Sequence, residues 1–236
     1  MALILMRSIV IYLAFIIWRN KMSIKDLINV AAERKPADLL LKNANIVNVF
    51  TGEIENNNVV IYQDTIAGIG KYDHAKKVLD LQGDYLSPAF INGHTHLESS
   101  MLHPISYARA VVPRGTLTVM TDLHEITNVC GLKGINFYIN WIEKLPLDMF
   151  LMAPSCVPST DLETSGANIN VKKLKAILSY PRVKGLGEMM NFTGVIKNEE
   201  SVIDKIRMGK NKIVDGHAPE LSGHDLNAYI AAGIYS

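Results

Sequence analysis

The feature that most restricts the fold is an alternation of apolar strands and amphipathic helical stretches that begins after Pro88. Repeated βα units with continuous apolar strands indicate a parallel sheet that is covered by helices. The five predicted strands are Ala89–His94, Thr116–Asp122, Met149–Pro154, Val183–Met189 and Lys212–Asp215. The predicted helices are Gly131–Leu145, Val171–Ser179, Glu199–Met208 and Leu221–Ala232.

The length of this region indicates an incomplete barrel. A whole (β/α)8 barrel needs about 250 residues, and the predicted units reach only a fifth strand before Ser236. We therefore predict an α/β fold: a partial TIM-like (β/α) barrel with about five of eight strands.

The region before Pro88 has a different pattern, in which short β-branched runs alternate with turn residues. Turn signals at intervals of about 8–12 residues are typical of a small β-sandwich. We predict three segments: an apolar extension at residues 1–21, an amino-terminal helix and β-sandwich portion at 22–88, and the incomplete barrel at 89–236.

The apolar extension allows three interpretations. As a signal peptide it lacks an evident cleavage site. As a membrane anchor it is marginal, because a span needs about 20 apolar residues and Arg7 interrupts this run. Alternatively the start codon is assigned too early and Met22 opens the protein. The sequence leaves these alternatives open.

The composition of the chain indicates which kinds of partner it can bind and in which cellular compartment it is found. A hydrophobic content of 48% excludes disorder, and a net charge of +1 provides no basic field for nucleic acid. Two cysteines, Cys130 and Cys156, are too few for a disulfide framework. We therefore expect a cytoplasmic protein without a nucleic-acid or membrane partner, and the sequence leaves open whether it forms a homo-oligomer.

Two histidines lie at the end of the first predicted strand of the barrel, His94 as its last residue and His96 just after it. Residues two apart on a strand share a face, so His94 and His96 can bind one divalent metal. Alone this short motif is weak evidence, because a pair of surface histidines fits it equally well.

Other predicted strands also end in charged or imidazole groups. Each group has an ordinary structural explanation when it is considered alone, such as capping a helix. Because the carboxyl ends of barrel strands meet at one rim, where active sites lie, their joint placement favours a functional site. These groups are Asp122, His124, Glu125, Glu188, Asp215 and His217.

Several stretches resemble known metal-dependent hydrolases. Residues 87–101, SPAFINGHTHLESSM, resemble the signature of the amidohydrolase superfamily. The blocks GTLTVMTDLHEITN at 115–128, PSCVP at 154–158, ETSGA at 163–167, GLGEMMN at 185–191 and DGHAP at 215–219, with LSG at 221–223 and LNAYIAAG at 226–233, resemble its adenine deaminase family. The chain departs from the family pattern at Leu123 and Thr127, where Pro and Ala are usual.

The resemblance implies a binuclear centre that contains Mn²⁺ or Fe²⁺, with Zn²⁺ as the alternative. His94 and His96 would bind one metal, Glu188 would bridge both metals, and His217 would bind the second. The family completes this site with a further His and an Asp on later strands, and this chain ends before both.

The resemblance also implies an activity and a substrate. The family hydrolyses adenine, a purine base, to hypoxanthine and ammonia in purine salvage, by attack of a water whose pKa the metals lower. We expect Glu98, His124 and Glu125 to serve in proton transfer or base recognition, and we expect residues 1–236 alone to be inactive.

Two alternatives to adenine deamination remain. One is another cyclic-amide hydrolase of the superfamily, similar to dihydroorotase or hydantoinase. Such enzymes normally carry lysine at the position that Glu188 occupies, which favours the deaminase. The other alternative is a non-catalytic gene remnant.

Overall fold

A computed structural model describes the backbone of Leu3–Leu5 and residues 23–235. The chain divides into two compact units, one formed by Met1–Phe90 with Pro113–Leu117 and the other by Ile91–Val112 with Thr118–Ser236. The predicted domain boundary after residue 88 stays a prediction, and each unit is described by itself below.

The described residues of the first unit form one helix and one mixed sheet. Helix α1 spans Ile24–Ala31, and the Ser23 hydroxyl caps it by accepting the Asp26 N–H at 3.4 Å. The strands are β1 (Leu3–Leu5), β2 (Leu39–Asn48), β3 (Glu53–Tyr62), β4 (Thr65–Gly70), β5 (Val78–Asp80) and β6 (Tyr85–Pro88). They form one six-stranded sheet in the order β1-β6-β2-β3-β4, with β5 paired to β2, where we predicted a sandwich.

An apolar cluster lies on each face of this sheet, and one strand contributes to both clusters because its neighbouring residues point to opposite sides. On β3, Val59 and Ile61 belong to one apolar cluster, whereas Val60 and Tyr62 belong to another. Val30 of α1 packs into the second cluster. The helix therefore covers one face of the sheet.

The predicted apolar extension at residues 1–21 lies outside the described residues, apart from the backbone of β1. This strand pairs antiparallel with β6, with Ile4 opposite Ser87. No helix within the part of the chain that the structure describes is long and apolar enough to cross a membrane.

The second unit contains the curled parallel sheet of a half-barrel, which confirms the predicted fold class. Its strands are β7 (Phe90–Thr95), β8 (Thr116–Asp122), β9 (Asp148–Ala153), β10 (Val183–Met189) and β11 (Ile213–Gly216). The order β11-β10-β9-β8-β7 follows the chain. Consecutive parallel neighbours are what repeated βα units produce.

Seven helices connect or follow these strands: α2 (Pro104–Val111), α3 (His124–Cys130), α4 (Leu132–Ile142), α5 (Val171–Leu178), α6 (Phe192–Ile196), α7 (Glu200–Gly209) and α8 (Gly223–Ala231). The predicted helices correspond to α4, α5, α7 and α8. A short 3-10 helix follows β7 at Leu97–Ser100. The other helices, α2, α3 and α6, were not predicted.

The partly exposed Asp38 carboxylate of the first unit accepts hydrogen bonds from Lys76 Nζ at 2.6 Å and from the Gln63 N–H at 2.8 Å. Burial opposes ionisation of Asp38, but the bonds from Lys76 and Gln63 outweigh it and lower the pKa of the carboxyl group.

We expect Asp38→Asn to lower the free energy of unfolding by about 1 kcal/mol at neutral pH. Because folding lowers the pKa of Asp38 below its ordinary 3.8, its contribution is present above that pH and is lost as the pH falls through the lowered pKa. Urea unfolding at about pH 7 and about pH 3 should show the difference from wild type shrink in acid. Asp64→Asn, at an exposed turn, is the matched control, and an equal loss in both variants would contradict this account.

Candidate metal centre

The half-barrel brings polar side chains from four strands to one edge of the sheet. His94 lies near the end of β7, with His96 immediately after the strand, and Asp122 ends β8. Glu188 lies near the end of β10 and His217 follows β11. Because the strands are parallel, their carboxyl ends lie on the same side of the sheet.

The carboxylate of Glu188 lies among four imidazoles, and its side chain is only 9% exposed. Its Oε1 is 3.5 Å from Nε2 of His94 and 3.3 Å from Nδ1 of His217. Its Oε2 is 3.9 Å from Nε2 of His96 and 3.4 Å from Nδ1 of His124. The structure thus brings together all four residues that the resemblance implies as ligands, and His124 with them.

The rings of His94 and His96 are oriented as metal ligands are. Their Nε2 atoms face each other at 3.1 Å. The opposite nitrogen of His94 is 3.2 Å from Oδ2 of Asp215, and that of His96 is 3.1 Å from the Asp122 carbonyl oxygen. An acceptor at the outer nitrogen fixes the tautomer that leaves the other nitrogen free for a metal.

Main-chain contacts hold Glu188 in place. Its N–H donates to Oδ2 of Asp122 at 2.9 Å, and its carbonyl accepts the Ser155 hydroxyl at 2.7 Å. Gly187 makes the first contact feasible, because a Cβ at this position would lie 2.2 Å from Oδ2 of Asp122. Side chains from β8 and from the segment after β9 therefore clamp the end of β10.

Tyr229 of α8 secures His217 in a similar way. Its hydroxyl accepts the His217 N–H at 2.9 Å and donates to the Met189 carbonyl at 2.6 Å. The phenol is buried, and this raises the pKa of Tyr229 to about 12. The hydroxyl thus remains protonated and links the loop after β11 to the end of β10.

The other two predicted catalytic residues, Glu98 and Glu125, form a carboxyl pair beside the histidines. Burial and the neighbouring Glu125 raise the pKa of Glu98 to about 8. Burial opposes ionisation of Glu125 too, but interactions with Glu98 and Ser99 outweigh it and lower the pKa of Glu125. Oε2 of Glu125 lies 3.3 Å from Nδ1 of His96, so the pair adjoins the centre.

Acidic groups surround His124, and they favour a positive charge there, whether that charge is a proton on the ring or a cation bound in its place. Burial alone would lower the pKa of His124, but Asp122 and Cys156 outweigh it and raise the pKa to about 11. Nevertheless, Nδ1 of His124 is buried and has no hydrogen-bond partner among the described residues. The same is true of Oδ1 of Asp122. Such atoms are costly unless another group satisfies them.

The donor set fits divalent metal ions. Three groups of His, Asp and Glu have ligand atoms within 4.8 Å of one another: His94, His96 and Glu188; His96, His124 and Glu125; and Asp122, His124 and Glu188. Within the described parts of the chain, neither Asp122 nor Glu188 forms an ion pair with Lys or Arg. Cations would supply the missing counter-charge.

Sequence reasoning did not identify the contacts of four residues at the site. Asp122 and Asp215 were noted as strand-end groups, but their contacts with Glu188 and His94 depend on the folded geometry. Ser155 and Tyr229 act on main-chain groups, and their positions in the sequence carried no signal for those bonds.

Comparison with known proteins gives a consistent picture. The family model described as "Amidohydrolase family" matches residues 85–235. An adenine deaminase of Dehalococcoides mccartyi is 56% identical over 214 residues, which are 91% of this chain and 38% of that protein. Adenine deaminase 2 of Carboxydothermus hydrogenoformans is 49% identical over 213 residues, or 90% of this chain and 37% of its own length. The chain thus spans little more than a third of these relatives.

Among solved structures, the chain is similar to N-acyl-D-glutamate deacylase of Bordetella bronchiseptica, solved with zinc and a phosphonate inhibitor. The TM-score is 0.56 at 13% identity, and the match covers 84% of this chain and 49% of the other. At this identity the likeness concerns the fold alone.

We expect Gly187→Ala to displace the Asp122 carboxylate and to break its bond with the Glu188 N–H, because the added methyl group collides with it. The free energy of unfolding should fall by about 1–3 kcal/mol in urea titrations. Gly93→Ala is the matched control, since a Cβ there meets no heavy atom within 4 Å. A Gly187→Ala variant as stable as the control would contradict this close contact.

Proposed function

Because the chain belongs to the amidohydrolase family, we propose that its metal centre serves the hydrolytic deamination of adenine to hypoxanthine and ammonia. The observation that carries the proposal is the convergence of imidazoles on the buried carboxylate of Glu188. The substrate comes from the relatives named adenine deaminase, which are 49% and 56% identical to this chain.

We assign His94 and His96 to one metal, Glu188 to the bridge between two metals, and His217 to the second metal. The proposed ions are Mn²⁺ or Fe²⁺, with Zn²⁺ as the alternative. Such a pair supplies Lewis acidity, which lowers the pKa of a water molecule and stabilises the charge that develops during hydrolysis. Oε1 of the buried carboxylate is 3.5 Å from Nε2 of His94 and 3.3 Å from Nδ1 of His217, so it lies between ligands that we assign to different metals.

We assign Glu98, Glu125 and His124 to proton transfer or base recognition at the rim. The Ile126 N–H donates to Oε1 of Glu98 at 3.3 Å, and the Ser99 hydroxyl donates to Oε1 of Glu125 at 2.8 Å. These bonds hold the two carboxyl groups beside the centre, where an acid and a base must lie to reach the substrate. Deamination requires both, since water loses a proton and the departing nitrogen gains one.

A cyclic-amide hydrolase of the dihydroorotase or hydantoinase type is the second candidate. It shares the histidines but normally uses a lysine where Glu188 stands. The carboxylate at position 188 favours the deaminase.

We also propose a cytoplasmic location and a role in purine salvage. Both cysteines are free: Cys130 is exposed and Cys156 is buried. Free thiols are typical of a reducing compartment, and adenine deamination recycles a purine base.

The proposal can be tested in a chimaera in which this chain replaces the matching segment of the Dehalococcoides mccartyi relative. With Mn²⁺ present, we expect hypoxanthine and ammonia in equal amounts by chromatography and an ammonia assay. Dihydroorotate and hydantoin should not be hydrolysed. Absence of adenine turnover in a folded, metal-loaded chimaera would refute the proposal, and turnover of either amide would favour the second candidate.

We expect Glu188→Gln in this chimaera to lower kcat/KM at least about 100-fold and to remove most bound metal, because the neutral amide cannot bridge two cations. Glu200→Gln, the same change at an exposed carboxylate on α7, should leave both quantities near wild type. Unchanged metal content in Glu188→Gln would count against the bridging role.

A further inference from the structure

We propose that Asp122 and His124, with Oε2 of Glu188, form an additional divalent-cation position beside the metal centre assigned above. The inference rests on the proposed function only through Glu188, which both positions share. Neither Asp122 nor His124 is among the ligands that the resemblance implies.

The spacing of the three donor atoms suits one cation. Nδ1 of His124 is 3.6 Å from Oδ1 of Asp122 and 3.4 Å from Oε2 of Glu188. Donors that each lie about 2.0–2.2 Å from a common ion are separated by roughly 3–3.6 Å at tetrahedral or octahedral angles. These separations are also too long for good direct hydrogen bonds.

Burial makes the position costly without a cation. The Asp122 side chain is 0% exposed, and its Oδ1 has no hydrogen-bond partner among the described residues. Nδ1 of His124 is likewise buried without a partner. A buried carboxylate oxygen without a partner loses its hydration and gains nothing in return, so a cation between the two atoms would satisfy both.

The surrounding contacts fix the direction of these donors. Oδ2 of Asp122 accepts the Glu188 N–H, which leaves Oδ1 turned to His124. Nε2 of His124 lies 3.6 Å from Oε2 of Glu125. A carboxylate near the outer ring nitrogen is the usual companion of a metal-bound histidine.

The donor chemistry indicates which ions would bind. Two carboxylate oxygens and one imidazole nitrogen suit Mn²⁺ and similar hard first-row ions. The neighbouring group of His94, His96 and Glu188 has two nitrogens and one oxygen, so Mn²⁺ distinguishes the new position better than a softer ion.

Mn²⁺ binding to the 236-residue chain tests the proposal. Bound Mn²⁺ per chain would be counted by equilibrium dialysis, with free Mn²⁺ read by electron paramagnetic resonance. We expect Asp122→Asn and His124→Asn each to bind one equivalent fewer than wild type. Because both residues serve one position, the double variant should also lose one equivalent rather than two.

The Asp122→Asn variant should lose the cation ligand at position 122 without losing the fold. Its amide oxygen can still accept the Glu188 N–H, while its NH₂ group places a donor where Oδ1 was. Circular dichroism should therefore show a wild-type fold, and this variant decides the matter if His124→Asn does not fold. His103→Asn is the matched control for loss of a histidine, since His103 contacts Phe137 and Trp141 and asparagine can keep its cap on α2.

The outcomes separate the two proposals. An unchanged count in Asp122→Asn, a loss of two equivalents in the double variant, or no Mn²⁺ bound by wild type would overturn the additional position. A loss of one equivalent in a protein whose chimaera does not deaminate adenine would support it and refute only the proposed function.

Discussion

A carboxylate with little access to water is the constraint around which the second unit is organised. Glu188 is nearly buried and has imidazoles on both oxygens, without a lysine or arginine partner among the described residues. Burial of a charge is tolerated only when the surroundings compensate it. The histidines at the ends of β7, β8 and β11 therefore surround Glu188 as a single donor set, and bound cations would compensate its charge.

The parallel sheet explains how such distant residues meet. Each strand contributes its carboxyl end to one edge, and hydrogen bonds to main-chain groups link the strand ends there. Asp122 and Ser155 bind the two polar groups of the Glu188 backbone, and Tyr229 joins Met189 to His217. The positions of Glu188 and His217 thus depend on hydrogen bonds with Asp122 and Ser155 at the edge of the sheet and with the buried Tyr229 of α8.

Much of the fold follows from the sequence, and the limits have physical reasons. The bounds of β8 and β10 agree with prediction. Gly115 precedes β8 and Pro181 lies just before β10, and such residues commonly mark the boundary of an element. Helices α3 and α6 have seven and five residues, too few to show a helical period. Helix α2 is as long as the predicted α5 but was not predicted. Because the carboxyl ends of parallel barrel strands lie at one rim, the sequence alone predicted that His94, His96, Glu188 and His217 lie close together. Their roles as ligands stay predictions. Which ring nitrogen faces which oxygen depends on side-chain rotation, which no pattern encodes.

The close approach of Gly187 to Asp122 has a consequence for how this site can change over time. A side chain at position 187 would need the volume that the Asp122 carboxylate now fills. Lineages that gain a larger residue at 187 must therefore shorten or relocate the residue at 122, so the two positions should covary although 64 residues separate them along the chain.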